Sequence, residues 1–229
     1  MTKRRADDAF VQNEDGKDDD GGGGGGKRAK VDLERVYIAF DIESAGCEFE
    51  NPILQIGVAY GTDAKHLETK SWCFDHPDGP FEERCAREFW SKFPDILERI
   101  RKEAKASGRT VDEQWADFAG FMSHMYQLCQ DKLVIVSDNP AFDVSMIDQQ
   151  LRLRKLKSSG IRYSPLPNPG TYLPVHDPTE RIKGLGSAKE AAIRAEVEKQ
   201  VKHTHWAEDD AQGILLLEFA VAESIRNLV

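Results

Sequence analysis

The sequence predicts an α/β fold with a mixed sheet of roughly five strands flanked by helices. A near-continuous apolar run, Val36 to Phe40, suits a strand buried on both faces in the middle of a sheet. Short connections join it to the next two strand-like segments, which favours an antiparallel meander. A second apolar segment, Leu133 to Val136, lies between helical patterns and fits a parallel neighbour of the first strand.

Each element follows from a local signal. Alternating or continuous apolar residues bounded by turn residues predict strands over 36–44, 53–60, 69–74 and 133–136. Apolar residues at three- and four-residue spacing predict helices over 81–101 (interrupted near Pro94), 111–130, 142–156, 188–201 and 206–228. Five prolines make 157–187 an irregular segment, with a further strand near 171–176.

Length and composition indicate one folded domain, residues 31–229, after a disordered tail, residues 1–30. The chain has 229 residues, of which 40% are hydrophobic and 31% charged, as in ordinary globular proteins. The tail is charged and contains an unbroken run, Gly21 to Gly26. No apolar segment is long enough to span a membrane or to follow the basic N-terminus as a signal peptide, so we expect no membrane association.

The compartment is predicted from cysteine spacing and basic runs. The four cysteines form no Cys-x-x-Cys pair, which predicts reduced thiols of an intracellular protein and no zinc or disulfide framework. They are Cys47, Cys73, Cys85 and Cys129. The basic run Lys27 to Lys30 has the composition of a nuclear-localisation signal, but such runs are also common by chance. The sequence thus leaves the nucleus and the cytoplasm open.

The net charge of −9 argues against a nucleic-acid binder unless some acids are neutralised locally. Metal ions held by several carboxylates would provide that neutralisation. Basic residues also cluster at 99–109, 152–157 and 181–194. Each cluster can contact phosphates or can be a solvated helix face, and the sequence does not separate the two.

Two carboxylates stand at the end of the first strand. Asp41 and Glu43 are two residues apart and therefore share a face of the strand, about 6.5 Å from one another along its axis. Asp143 follows the second apolar strand through a turn, and Asp210 lies in the first turns of the last helix. If the two strands are neighbours, all four acids converge at one end of the sheet, where open α/β folds place their sites.

Four converging carboxylates repel one another, so we expect cations among them. A pair of carboxylates about 4 Å apart costs roughly 4 kcal/mol at an effective dielectric constant near 20. Two Mg²⁺ or Mn²⁺ ions, which prefer oxygen ligands, would offset this repulsion. Taken singly, each acid has a simpler interpretation: an exposed strand end for Asp41 and Glu43, a helix N-cap for Asp143, and complementation of the helix dipole for Glu208, Asp209 and Asp210.

Three segments together resemble the motifs of the DnaQ-like (DEDDh) 3′–5′ exonucleases of the RNase H-like superfamily. They are Phe40 to Gly46 (Phe-Asp-Ile-Glu-Ser-Ala-Gly), Asp138 to Asp143 (Asp-Asn-Pro-Ala-Phe-Asp) and His205 to Ala211 (His-Trp-Ala-Glu-Asp-Asp-Ala). The resemblance covers nearly all of residues 33–226 in order. It implies an RNase H-like fold in which Asp41, Glu43, Asp143 and Asp210 hold two metal ions and His205 is the general base.

The resemblance also implies contacts with the substrate. Ser44, Ala45 and Gly46 continue the segment that touches the terminal nucleotide, and Asn139 and Phe142 are expected near it. Ser44 stands where the family often has threonine, and Asp138 replaces a histidine that is frequent before the asparagine. These departures affect the expected substrate contacts and leave the expected metal ligands intact.

The spacing of His205 and Asp210 restricts where the histidine lies. Residues five apart in a continuous helix point about 140° apart, so the two side chains converge only if His205 lies on the loop before the last helix. An imidazole with a pKa near neutrality suits proton transfer there. His203 is the rival candidate, but its partner five residues on would be Glu208, and the apolar pattern of the helix fits Asp210 better.

The sequence therefore predicts a metal-dependent exonuclease that removes 5′-mononucleotides from the 3′ end of a single-stranded nucleic acid. The basic run near residue 30 slightly favours DNA over RNA. The alternatives are an RNA-specific trimming exonuclease and, from a different class, an inactive adaptor of the same fold. The sequence contains no polymerase domain, so a proofreading role would require a separate partner, and it does not reveal the oligomeric state.

Overall fold

The structure is a computed structural model that describes residues 35–76, 81–157 and 175–227. Its strands are β1 (Val36–Ser44), β2 (Ile53–Gly61), β3 (Leu67–Cys73), β4 (Leu133–Val136) and β5 (Val175–His176). Its helices are α1 (Glu83–Glu88), α2 (Pro94–Ala106), α3 (Val111–Cys129), α4 (Asp143–Leu153), α5 (Pro178–Lys183), α6 (Ser187–Gln200) and α7 (Ala207–Arg226). The predicted disordered tail and most of the predicted irregular segment lie outside the described residues.

The sheet has the predicted mixed topology, with β1 at its centre. The strand order is β3-β2-β1-β4-β5. β1 pairs with β2, and β2 with β3, in antiparallel fashion, whereas β4 is parallel to both β1 and β5. The two short connections form the meander, and the crossover through α1–α3 returns the chain to pair β4 beside β1. The predicted α/β fold with a five-stranded mixed sheet is therefore confirmed.

One face of the sheet carries large apolar side chains and packs against α3 and α4. Alternate residues of β1 point to this face, Ile38, Phe40 and Ile42. The ring of Phe118 contacts Phe40 edge-to-face, with the ring centroids 6.1 Å apart. The aromatic stripe of α3 therefore forms part of the hydrophobic core, as its helical spacing predicts.

The opposite face carries small residues and packs against α7. Ala39 and Ala59 lie in the cluster that contacts Ala211, Ile214 and Leu215 of the helix. Small side chains allow a helix to approach a sheet closely, so the backbone of α7 lies near the strands. This side of the sheet also carries the acidic residues of β1.

The segment after β4 differs from the prediction in two places. β5 consists of two described residues, and the following helix α5 lies within the segment that was predicted to be irregular. The Asp177 side chain accepts hydrogen bonds from the backbone N–H groups of Thr179 and Glu180, and Pro178 occupies the first turn. An Asp followed by Pro is a recognised helix start, so this helix was predictable from its cap.

The other helix boundaries differ from the prediction by a few residues. The predicted helix over 81–101 is α1, a 3₁₀ turn at Trp90–Lys92 and α2, which begins at Pro94 and continues to Ala106. Proline suits the first turn of a helix because its missing N–H is not needed there, so Pro94 starts a helix. Within the described ranges, no helix is both long and apolar enough to cross a membrane.

Candidate active site

The acidic residues of β1 point towards α7. Ile42, between them, points into the opposite core, so Asp41 and Glu43 share the α7 face as their spacing predicts. Glu43 is buried and Asp41 is half-buried. Neither side chain forms an ion pair with a lysine or arginine among the described residues. Among the described residues, the two acids therefore have no lysine or arginine that neutralises their charge.

The β2 residues opposite these acids hold the start of α7 in place. Gln55 pairs with Glu43 and Gly57 with Asp41 in the antiparallel register. The fully buried Gln55 side chain accepts a hydrogen bond of 3.1 Å from the backbone N–H of Ala207, the first residue of α7. A Cβ atom on Gly57 would lie 1.9 Å from the carbonyl carbon and oxygen of Ala207. Gly57 is thus the residue that lets α7 begin directly above Asp41.

This close approach brings Asp210 to the strand acids. Single carboxylate oxygens of Asp41, Glu43 and Asp210 lie within 4.8 Å of one another. The Asp210 Oδ1 atom accepts a hydrogen bond of 2.9 Å from the Thr204 N–H, whereas its Oδ2 atom is buried without a hydrogen-bond partner. The structure therefore confirms the convergence that the sequence predicts for these three acids.

Asp143 lies beside this group and is fixed from the end of β4. The Ser137 hydroxyl donates a hydrogen bond of 2.6 Å to Asp143 Oδ2 and accepts one of 3.1 Å from the Asn139 N–H. Asp143 is not among the three acids with oxygens within 4.8 Å, but its charge is close enough to raise the pKa values of Asp41 and Glu43. The N-cap of α4 is Phe142, without a side-chain cap, so the interpretation of Asp143 as a helix N-cap is wrong.

Burial and mutual repulsion raise the pKa values of the acids. Burial is the main cause for Glu43, whose pKa rises to about 8, and repulsion from Asp210 and Asp143 adds to it. Burial raises the pKa of Asp143 to about 7, although the Ser137 hydrogen bond opposes this change. The pKa of Asp41 is raised well above its usual range by burial and then by the charges of Asp143, Glu43 and Asp210.

The donor set fits divalent cations. Carboxylate oxygens are the preferred ligands of Mg²⁺ and Mn²⁺, and a cation among these acids would remove the repulsion that raises their pKa values. The buried Oδ2 atom of Asp210 has no hydrogen-bond partner, so its lone pairs are available to such an ion. Asp41, Glu43 and Asp210 are the residues that would hold such an ion, with Asp143 as a further ligand.

Both histidines of the loop before α7 lie at this site. His205 lies on the loop, as its spacing from Asp210 requires, with a positive φ of 57°. The Nδ1 atom of the exposed His203 is 3.2 Å from Asp210 Oδ1, and ligand atoms of His203, His205 and Asp210 lie within 4.8 Å of one another. The structure therefore brings the rival candidate His203 to Asp210 as well as His205.

The His205 ring is held in an aromatic pocket. Its centroid is 4.1 Å from that of Phe93 and 5.1 Å from that of Phe89, both in the segment that joins α1 and α2. Burial lowers the pKa of His205, the neighbouring His203 lowers it further, and Asp210 opposes the change. The lowered pKa favours the neutral imidazole, which is the form that accepts a proton.

The segment predicted to touch a terminal nucleotide is a tightly held bend. The buried Ala45 donates its N–H to the Pro52 carbonyl and accepts from the Glu82 N–H, both at 2.9 Å. A Cβ atom on Gly46 would lie 2.2 Å from Asn51 Oδ1, so no larger residue fits there. The Ser44 hydroxyl donates to the Gly46 carbonyl at 2.7 Å. The structure explains why these residues are small, and their contact with a nucleotide stays a prediction.

The other two predicted substrate residues lie at the turn before α4. The Asn139 carbonyl accepts hydrogen bonds of 2.9 Å from the N–H groups of Phe142 and Asp143, which starts the helix. The Asn139 side chain is exposed, whereas Phe142 is half-buried against the main core cluster. Asn139 is therefore free to contact a substrate, and the contact predicted for Phe142 is limited to its exposed edge.

Two acids of α7 do more than complement the helix dipole. Glu208 accepts hydrogen bonds from Thr69 Oγ1 at 2.6 Å and from Ser71 Oγ at 3.1 Å, which ties the helix to β3. Asp209 accepts one of 3.0 Å from Thr204 Oγ1. The interpretation that these acids only stabilise the helix terminus is therefore wrong for both.

Sequence reasoning missed the residues that position the acids. They are Gln55, Gly57, Ser137 and Thr204, whose contacts are described above. A glycine inside a predicted strand is a signal of close backbone approach, so Gly57 could have been recognised. The other three are ordinary polar residues whose partners are distant along the chain, and they carry no local signal.

Comparisons with known proteins find similar solved structures but no similar sequences. No protein-family model and no curated protein sequence matches this chain. Among solved structures, product-bound exonuclease I superposes with a TM-score of 0.55 at 12% identity over 85% of this chain and 44% of that chain. S. pombe Pop2p in its Mg²⁺- and Mn²⁺-bound form superposes with a TM-score of 0.54 at 14% identity over 82% of each chain.

A third structure contains nucleic acid. E. coli exonuclease I in complex with a dA16 oligonucleotide superposes with a TM-score of 0.53 at 14% identity over 85% of this chain and 42% of that chain. This chain spans less than half the length of the exonuclease I chains. At these identities the likeness concerns the fold alone, and this chain shares the α/β fold of these solved structures.

Proposed function

We propose that this protein is a metal-dependent 3′–5′ exonuclease of the DnaQ-like (DEDDh) type, with two Mg²⁺ or Mn²⁺ ions as cofactors. One observation carries the proposal: Asp41, Glu43 and Asp210 meet inside the protein beside Asp143, without a lysine or arginine partner among the described residues. Unpaired buried carboxylates are costly, so their collection at one point indicates a purpose other than stability.

The structural neighbours support this proposal. Two of them are exonuclease I structures, one with product and one with a DNA oligonucleotide, and a third holds Mg²⁺ and Mn²⁺. The strand end that carries Asp41 and Glu43 is also the end of the sheet where open α/β folds bind ligands, which supports the same proposal. The order of the three motifs along the chain, which nothing in the fold alone requires, supports the same function.

The residues of the site divide the chemistry among them. Divalent ions held by the four carboxylates would supply the Lewis acidity that activates water and stabilises the departing 3′-oxygen. His205, neutral and held by Phe89 and Phe93, takes the proton of the attacking water. Ser137 fixes the rotamer of Asp143. Cleavage would release 5′-mononucleotides.

A groove leads from the acids along α6 and α7. It has a volume of about 260 Å³, and its lining includes the acids Asp41, Asp138, Asp210 and Glu198 and the basic residues Arg194 and Lys202. Basic side chains beside an acidic metal centre suit a phosphodiester strand whose last phosphate reaches the metals. We propose that a single strand with a free 3′ end lies here, with Ser44 to Gly46 and Asn139 near its last nucleotide.

Several of the predicted basic clusters are engaged within the protein. The Arg99 guanidinium lies 3.6 Å from the centroid of the Trp206 ring, Arg152 pairs with Asp148, and Arg194 pairs with Glu190. These arginines already have partners within the protein. We therefore propose that lysines such as Lys202 make the phosphate contacts. We propose DNA as the substrate, and the experiment below compares it with RNA, the alternative substrate.

A degradation assay with 5′-labelled single-stranded DNA and RNA of identical sequence tests the proposal. A ladder of shortened labelled strands in Mg²⁺ or Mn²⁺, abolished by EDTA, is expected because removal of nucleotides from the 3′ end leaves the 5′ label in place. Preference for RNA would identify a trimming exoribonuclease. Asp143→Ala or His205→Ala that retains full activity would overturn the proposed site, with the exposed His124→Ala as the matched control.

A further inference from the structure

A second donor set adjoins the carboxylates and differs from them in chemistry. Ligand atoms of His203, His205 and Asp210 lie within 4.8 Å of one another, so two imidazole nitrogens and a carboxylate oxygen are close enough to share an ion. Asp41, Glu43 and Asp210 offer oxygen atoms alone. Asp210 belongs to both sets.

The loop before α7 is built so that these three groups meet. Thr204, between the histidines, donates its N–H to Asp210 Oδ1 at 2.9 Å, and its hydroxyl accepts from the Trp206 N–H at 3.2 Å. His205 has a positive φ of 57°, a conformation that costs a residue other than glycine about 1 kcal/mol or more. These contacts fix the loop backbone, so that both histidines are carried beside Asp210.

The spacing suits a transition metal. Zinc binds imidazole nitrogen and carboxylate oxygen at about 2.0–2.2 Å in tetrahedral geometry, which separates neighbouring ligand atoms by roughly 3.3 Å. The His203 Nδ1 and Asp210 Oδ1 atoms are 3.2 Å apart. Mg²⁺ prefers oxygen ligands and octahedral geometry, so this nitrogen-rich set favours zinc over magnesium.

Two further observations favour cation binding here: Asp210 has an unpartnered oxygen atom, and His203 is accessible from solvent. The Asp210 side chain is 4% exposed, and its Oδ2 atom has no hydrogen-bond partner. The His203 side chain, by contrast, is 70% exposed, so it provides an entry path and can rotate to close the site. Three protein ligands leave a fourth position for water.

We propose that His203, His205 and Asp210 form a binding site for Zn²⁺ or a similar borderline transition metal, and that its occupation inhibits the nuclease. The inhibition rests on the proposed function, whereas the binding does not. An ion held there uses the nitrogen of His205 as a ligand and takes Asp210 from the carboxylate set. It therefore removes the general base and one Mg²⁺ ligand at the same time.

A direct measurement of metal binding, without any substrate, tests the proposed zinc site. Zn²⁺ binding by calorimetry, and the electronic absorption of Co²⁺ as its substitute, would be measured on tag-free protein. We expect His203→Asn to weaken Zn²⁺ binding at least about tenfold. His124→Asn, an exposed histidine on α3, serves as the matched control and should bind like the unaltered protein.

The same measurement distinguishes metal binding by a cysteine from metal binding by the two histidines. Cys47 is exposed and could capture the ion, so a Cys47→Ser background is included. Sulfur-to-cobalt charge-transfer absorption that disappears in this background would reveal a thiolate site. Equal zinc affinity in the His203→Asn and His124→Asn proteins would overturn the proposed site.

A nuclease assay in Mg²⁺ with increasing Zn²⁺ tests the proposed inhibition. Each variant is compared with its own rate without zinc, so that its basal rate does not enter the comparison. We expect the zinc concentration for half inhibition to rise at least about tenfold in His203→Asn relative to His124→Asn. An unchanged value would overturn the inhibition. A chain without Mg²⁺-dependent activity would instead refute the proposed function and leave the binding result intact.

Discussion

Glu218, in the middle of α7, and Asp210, in the first turns of the same helix, are both buried acids, but their surroundings differ. Glu218 accepts hydrogen bonds from the Arg181 guanidinium and, at 2.8 Å, from His176 Nδ1. In the part of the chain that the structure describes, Asp210 and the strand acids beside it have no arginine or lysine partner. The two histidines of the loop before α7, the exposed His203 and the half-buried His205, are the groups that approach Asp210.

The difference separates a structural ion pair from the site that we propose binds metal ions. Arg181 comes from α5 and His176 from β5, so Glu218 ties the edge of the sheet and a short helix to α7. The fold supplies the positive charge itself in that region. At the end of β1 the described residues supply no lysine or arginine, and burial together with repulsion between the acids raises the pKa values of Asp41 and Glu43.

The largest expected effect is that of Asp41→Asn. Loss of a metal ligand is expected to lower Mg²⁺-dependent nuclease activity about 10³-fold, since charge stabilisation at the reacting phosphate is the main catalytic contribution. In EDTA the same variant is expected to melt at a higher temperature, because a repelling charge is removed. Single-turnover rates and thermal unfolding measure the two effects.

Glu218→Gln is the counterpart from the other acidic region. It leaves Arg181 without its carboxylate, and because Arg181 is about one-third exposed we expect a loss of roughly 2 kcal/mol, or about 4–8 °C in Tm. Activity per folded molecule should stay close to that of the unaltered protein. If Asp41→Asn is destabilising in EDTA and Glu218→Gln is not, the distinction between the two regions is wrong.

Gly57→Ala is expected to lower activity about 100-fold. Its Cβ atom would lie 1.9 Å from the Ala207 backbone, so the start of α7 must move and carry Asp210 away from Asp41. We also expect a destabilisation of about 1–3 kcal/mol from overpacking. Gly120→Ala, on the exposed side of α3 with nothing within 4 Å, is the control and should stabilise the protein by up to about 1 kcal/mol.

Ser137→Ala is expected to weaken Mg²⁺ binding about 10-fold. The variant loses the 2.6 Å hydrogen bond that fixes Asp143, and an outer hydrogen-bond partner of a ligand typically contributes this much. Titration of activity with Mg²⁺ measures the change. In an Asp143→Asn background the same substitution should have little further effect, and full additivity of the two would contradict this role of Ser137.

The smallest expected effect is the pH dependence of stability without metal. The pKa of Glu43 rises from 4.5 unfolded to about 8 folded, and that of Asp143 from 3.8 to about 7. A raised folded-state pKa stabilises the protein at low pH, and this stabilisation is lost as the pH rises through that value. In EDTA we therefore expect Tm to fall as the pH rises from about pH 5 to pH 8.

Added Mg²⁺ should reverse that dependence, because the ion binds the ionised carboxylates and its binding stabilises the folded state more as the pH rises. Thermal unfolding in EDTA and in Mg²⁺ at a series of pH values measures both curves. Identical curves would indicate that no ion binds to these acids. The Asp41→Asn protein provides the matched comparison, since its curve in EDTA should be flatter.

The sequence alone determined the sheet, the order of the elements and the convergence of Asp41, Glu43 and Asp210. These follow from local physics: a strand alternates its side chains, parallel strands share their carboxyl ends, and a histidine five residues before an acid must lie on the loop. The cap of α5 was equally local, so that helix was missed although its signal was present.

Only the tertiary structure decided which residues hold the acids in place. Gln55 meets Ala207 across 152 positions of the chain, and the need for glycine at position 57 arises from the backbone of a helix that begins 150 residues later. Likewise, the approach of His203 to Asp210 depends on how Thr204 folds the loop. Such contacts join residues that no local pattern connects, because their partners are set by packing and not by spacing.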